Sequence, residues 1–266
     1  MWNMIDNFAF PLEELEFFLL ILTRVSAFLF TAPFFSQNNV PRMLKAALSV
    51  FISYLLYEAI MPHEYPIYNS LYEYTGLLLK ETLTGLIIGL AGAFAMNVTS
   101  FAGQVVDTEL GFAMASQMDP VTMQNTTVTG YFYQYTFMLI FMVTGMHRYL
   151  LQALGETFTL IPVGKTVFEM ESFYNDMIEF MGTYIMLGFR IALPVFAVIL
   201  IVNCMLGVMA KVSPQMNMFA VGIQIKAMVG MVVIFITVRV LPKAADMVFV
   251  QMKTNIATVV KAMMPG

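Results

Sequence analysis

Few residue types in this chain could do chemistry, and their spacing limits what that chemistry is. His63 and His147 stand far apart, each at the end of an apolar block, and neither belongs to an HExxH run or a cluster of acidic ligands. They read as plain interfacial residues rather than metal ligands. Asp107 and Asp119 lie 12 residues apart on either side of a glycine-containing stretch, which is weak support for an intramembrane protease pair. Neither GxSxG nor a P-loop occurs, and "GLIIGLAG" (Gly85 to Gly92) lacks the Lys-Ser/Thr that a phosphate cradle needs. The single Cys204 excludes a disulfide framework, a CxxC redox pair and a cysteine-based metal site within the chain. These absences point to a protein that is not an enzyme, with no metal and no cofactor.

The residues left to consider are ionisable groups inside apolar sequence: Arg24, Lys80, Glu81, Arg190, Lys226 and Arg239. Each is costly in hydrocarbon and must face protein or water. A proton relay wants titrating Asp, Glu or His, whereas this set is mostly basic, and Arg does not release a proton usefully near neutrality. Arg24, Lys80, Glu81, Arg190 and Lys226 are therefore expected to be buried charges held by structural pairing, within the chain or with another subunit.

The elements that must position these residues are membrane helices. Of the 266 residues, 59% are hydrophobic and 11% charged, with a mean hydropathy of +0.78. Soluble domains carry roughly a quarter charged residues, so lipid or partner subunits must cover this chain. The net charge of −4 is dispersed, and nucleic acid is not an expected partner. The N-terminus lacks a basic n-region and places Asp6, Glu13, Glu14 and Glu16 before the first long apolar run, unlike a signal peptide. Apolar blocks occur near 15–35, 43–61, 74–98, 129–151, 180–209 and 219–241, each long enough to span about 30 Å of hydrocarbon. A single domain is expected over 1–266. Methionine is over-represented at 25 residues. Its flexible thioether suits core packing and surfaces that accept varied partners, and composition does not choose between them.

Loop charges indicate topology, because Lys and Arg concentrate on the cytoplasmic side. Arg42 and Lys45 place the first loop inside and the N-terminus, including segment 1–14, outside. Lys243, Lys253 and Lys261 against Asp246 place the C-terminus inside. That arrangement needs an odd number of crossings, so at least one of the six blocks turns back or fails to cross. Two segments look able to turn: 97–129, containing "GFAMASQMDP", and 210–218, where Pro214 removes a backbone donor between two apolar arms. Around that proline, Gln215 and Asn217 carry amides able to satisfy freed backbone groups or to pair with a neighbouring chain. Gly85, Gly89 and Ala93 form a small-residue ridge that reads first as intramolecular packing. Pro194 suggests a kink. The tail 242–266 reads as an amphipathic helix that lies on the membrane or docks a partner.

Four stretches carry a family resemblance: "RVSAFLFTAPFFSQNNVPRMLKAAL" (Arg24 to Leu48), "AGQVVDTELGFAMASQMDP" (Ala102 to Pro120), "ALPVFAVILIVNCMLGVMAKVSPQMN" (Ala192 to Asn217) and "FAVGIQIK" (Phe219 to Lys226). In this order and spacing the chain resembles the FliR family of flagellar export-gate proteins, whose relatives serve virulence type III secretion. The resemblance implies an all-α, polytopic membrane protein of helical hairpins with broken or re-entrant segments, sited in the bacterial inner membrane at the flagellar basal body. It implies FliP-like and FliQ-like gate subunits and an FlhB-like switch protein as partners, with unfolded flagellar proteins passing outward through the gate. It further implies that the central segment is a pore plug, with Gly111, Phe112, Met114, Met118, Asp119, Pro120 and Met123 as its residues. Pro214, Gln215, Met216 and Asn217 form the gate packing motif. A secondary transporter with broken helices is the rival reading, and it calls for an inverted repeat that the sequence does not display.

Overall fold

Most of the chain is built from residues with high helix propensity in long apolar runs, and in the structure, a computed structural model, all the regular elements among the described residues (12–37, 40–61, 65–112, 127–213, 215 and 217–265) are helices. In order these form α1 (Leu12–Thr31), α2 (Arg42–Ala59), α3 (Leu71–Leu110), α4 (Val128–Val143), α5 (Met146–Leu160), α6 (Met170–Val212), α7 (Met218–Thr237), a 3-10 turn (Val238–Val240) and α8 (Leu241–Ala262).

Helix boundaries follow local chemistry. At the start of α3, Ser70 Oγ accepts the Glu73 N–H (3.3 Å) while the Glu73 carboxylate accepts the Asn69 N–H (2.7 Å), a reciprocal cap that satisfies two otherwise orphaned donors. Its end is Gly111, whose φ of +80° is the left-handed conformation that terminates helices and favours a residue without Cβ. The sequence between Ser213 and Asn217 does separate two helices, and the Asn217 side chain caps α7 by accepting the Ala220 N–H at 3.3 Å. Pro194 lies within α6, which continues through it.

The expected six crossing blocks reduce to fewer. Among the described residues, three helices are long and apolar enough to cross a membrane: Leu71–Leu110, Met170–Val212 and Ala220–Ala262, the last uniting α7, the 3-10 turn and the C-terminal tail. The 129–151 block is bent by 70° between α4 and α5, and counting that pair as one span makes four. α1 and α2 are interrupted by charge, with Glu13, Glu14, Glu16 and Arg24 in one and Arg42, Lys45 and Glu58 in the other. At 1.5 Å per residue the longest helices extend about 60 Å, roughly twice the hydrocarbon thickness, so part of each lies outside it even at steep tilt.

The chain divides into two compact units. In the first (1–93, 147–178 and 252–266), α3 presses its glycine ridge onto α1. A Cβ on Gly85 would overlap the Arg24 carbonyl, and one on Gly89 would overlap the Thr31 hydroxyl and reach the Phe28 carbonyl at 3.0 Å. The ridge is thus used within the chain. α2 is inverted: Lys45, Ser49 and Ser53 are buried, while Leu44, Phe51, Tyr54 and Leu55 are exposed. In the second unit (94–146 and 179–251), Val98, Ala102, Val106, Tyr133, Phe137, Ile191, Val195 and Val248 are buried, and Phe141 meets Phe249 edge-on at 5.7 Å. α8 is amphipathic, as its periodicity indicates. Its apolar side is buried, Ala245 within the second unit and Met252, Ile256 and Val260 within the first.

Candidate functional site

Two buried polar clusters organise the two units, and each answers a carboxylate differently. In the first unit, Arg24 on α1 and Glu81 on α3 are both fully buried. Arg24 donates from Nε to Glu81 Oε2 (2.5 Å) and from Nη2 to Oε1 (3.0 Å), a bidentate pair. Its Nη1 donates to the Ile161 carbonyl (3.0 Å) and more distantly to that of Thr157 (3.4 Å), at the C-terminal end of α5, where a cation is favoured by the helix dipole. The guanidinium stands over the Phe158 ring at 4.3 Å, and Glu81 Oε1 also accepts the Gly164 N–H at 2.8 Å. One turn along α3, Thr84 and Thr166 are hydrogen-bonded at 3.0 Å. All the groups in this knot are satisfied by one another, so it ties α1, α3, α5 and the following turn together and offers nothing to a substrate.

The second cluster lies at the neck of the central segment. Asp107, on the last turn of α3, is 1% exposed. Its carboxylate accepts the Thr129 N–H (3.1 Å to Oδ2) and a short hydrogen bond from the Thr129 hydroxyl. Thr127 is the local cap of α4, accepting the Gly130 N–H at 3.1 Å. The first turn of α4 is therefore capped twice, once by its own threonine and once by a carboxylate 22 residues earlier. One helical turn before Asp107, Gly103 lies so close to Gly130 that a Cβ there would overlap the Gly130 backbone. Beside this neck is an open apolar groove of about 540 Å³ lined by Phe112, Val128, Phe132, Met231 and Phe235.

The structure distributes the sequence-derived candidates unevenly. Gly111 and Phe112 lead out of α3, while Met114, Met118, Asp119, Pro120 and Met123 lie outside the described residues. Gln215 and Asn217 are exposed, with Asn217 as a helix cap, and Pro214 and Met216 lie outside the described residues. Of the charges expected to be buried and paired, Arg24 and Glu81 form one knot. Lys80 and Arg190 are instead exposed on this chain, Arg190 with Nη1 3.7 Å from Met247 Sδ, and Lys226 is half-buried. Lys80 diverges from Glu81 because adjacent helical residues point about 100° apart. Sequence reasoning missed the clasp of Asp107 with Thr129. Its signal was the Thr-Val-Thr-Gly run at 127–130, a helix-start pattern that leaves one donor for a remote acceptor.

Long apolar helices, saturated polar knots and wide apolar outer faces define an all-α polytopic membrane protein whose polar groups hold structure together. The family model for bacterial export proteins, family 1, matches residues 15–252, and the chain belongs to that family. It is 30% identical over 227 residues to the flagellar biosynthetic protein FliR of Bacillus subtilis, covering 84% of this chain and 86% of that protein. It is 26% identical over 210 residues to FliR of Escherichia coli K12, covering 79% of each. The surface presentation of antigens protein SpaR of Shigella flexneri is 23% identical over 230 residues, covering 84% of this chain and 87% of SpaR.

Proposed function

We propose that this protein is a non-enzymatic subunit of a flagellar protein-export gate in the bacterial inner membrane, working with FliP-like and FliQ-like subunits and an FlhB-like switch protein to pass unfolded flagellar proteins outward. The observation that carries the reading is the family match across residues 15–252, with similarity to flagellar relatives over most of their length. The surface of the chain supports partners: Met181, Ile185, Phe189, Leu193, Leu200 and Met205 are exposed along α6, and Met228, Met231 and Phe235 along α7. These apolar faces need lipid or partner subunits to cover them. An outside N-terminus and an inside C-terminus require an odd number of crossings, which three spans meet and four do not.

Within that gate, Gly111 to Asn125 close the pore at rest. Met114, Met118 and Met123 supply a compliant seal, because thioethers repack around varied chains without directional bonds. The 210–218 break packs against partner subunits through its motif of Pro214, Gln215, Met216 and Asn217. Deleting residues 111–125 is expected to raise ion leak across the inner membrane, and an unchanged, tight membrane with normal secretion would overturn the plug. Cysteines placed singly at 114–123 are expected to cross-link to a stalled export substrate; failure to label favours a scaffold with the pore formed by partners. The similarity to SpaR keeps a virulence-secretion gate as the second reading. Complementation of a strain lacking FliR, compared with one lacking SpaR, separates the two.

A further inference from the structure

We propose that Asp107 is a positioning residue for export: its carboxylate locks the register of α4 on α3 and thereby fixes where the chain leaves at Gly111 and returns at Thr127. Thr127 already caps α4, so the helix does not need a second, buried charge for its own stability. Burying a carboxylate is unfavourable unless several donors answer it. Here the Thr129 N–H, the Thr129 hydroxyl and the positive end of the α4 dipole do so. The second lock is steric. Gly103 and Gly130 meet backbone to backbone, one turn of α3 away from Asp107. A one-residue slip of α4 would break the Asp107 bonds and take the Gly130 backbone away from the Gly103 face that admits it. Two contacts one turn apart define a register, where either alone would allow the helix to pivot. The functional consequence rests on the reading of 111–125 as the resting seal, since a slipped stem would present that segment at the wrong level.

The test uses the full chain co-produced with its partner subunits and compares D107A, T129V and T129S for assembled complex, resting ion leak and secretion. Deuterium uptake of residues 127–131 is measured in the purified complex. D107A and T129V are expected to assemble yet leak about tenfold more at rest, the population shift expected when roughly one hydrogen bond's bias is lost. T129S, which keeps the hydroxyl, should match the wild type, and D107A/T129V should leak no more than the worse single variant. Faster deuterium uptake at 127–131 should accompany the leak. Assembled D107A and T129V complexes with wild-type leak would overturn the proposal, as would equal leak from T129S and T129V. Should D107A fail to assemble, the T129V-to-T129S comparison decides. Should deletion of 111–125 itself cause no leak, the seal reading fails separately. Asp107 is then judged by exchange and secretion: unchanged uptake in D107A overturns it, and faster uptake with impaired secretion sustains it.

Discussion

The Arg24–Glu81 knot and the Asp107–Thr129 clasp both bury a carboxylate, but they differ in what answers it. Glu81 faces a guanidinium, and the pair is further enclosed by α5 carbonyls, an aromatic ring and the Gly164 N–H. Among the described residues, Asp107 faces neutral donors at the start of one helix. The first arrangement joins three helices and leaves no group free to change partner. The second joins two helix ends through a pair of hydrogen bonds. A buried ion pair that loses one member leaves an uncompensated charge, whereas a carboxylate that loses a hydroxyl donor keeps its remaining N–H. The knot is thus a fixed anchor of its unit and the clasp a weaker joint.

Breaking the anchor gives the largest expected effect. Removing one member of a buried pair costs about 3–5 kcal/mol, so R24A or E81A should abolish accumulation of folded protein in the membrane, measured by immunoblot and by the melting midpoint in detergent. A pair change to matched apolar residues should recover most of that loss, and failure to recover would show that the α5 contacts matter more than the charges. Crowding the ridge comes next. Overpacking costs about 1–3 kcal/mol, and G89V, directed at the Thr31 hydroxyl and Phe28 carbonyl, should lower the midpoint accordingly. At the 213–217 break, N217A should cost about 1 kcal/mol, a typical cap, because Asn217 satisfies one α7 donor at an exposed site. K80A should change the stability of the isolated chain by no more than about 0.5 kcal/mol, as expected for an exposed position. A larger loss confined to the assembled gate would place Lys80 at a partner contact.

Several features were legible in the amino-acid sequence. The ridge at Gly85 and Gly89 had the spacing of a close helix contact, and α1 is what it contacts. Near the Pro214 stretch, α6 ends at Val212 and α7 begins at Met218. Other features were not legible. The 129–151 block reads as one uninterrupted apolar run, yet Gly145 at φ +74° lies at its 70° bend, because hydropathy carries no record of direction. α2 has a polar stripe that suggests an outward face, but Lys45, Ser49 and Ser53 point inward and Lys45 Nζ stands 5.8 Å over the Phe30 ring.

The sequence by itself determined that this is an all-α membrane chain with costly charges in apolar surroundings, a break at 213–217 and a family that exports proteins. Those properties are local: propensity, periodicity, capping and transfer cost act over a few residues. Only the tertiary structure decided that Arg24 answers Glu81 at a separation of 57 residues, that Lys80 beside it stays exposed, and that Asp107 caps a helix 22 residues on. The cost of burying a charge is set by its own surroundings, but its partner is chosen by which helices can approach. Here glycines permit that approach, at 85 and 89 against α1 and at 103 against α4.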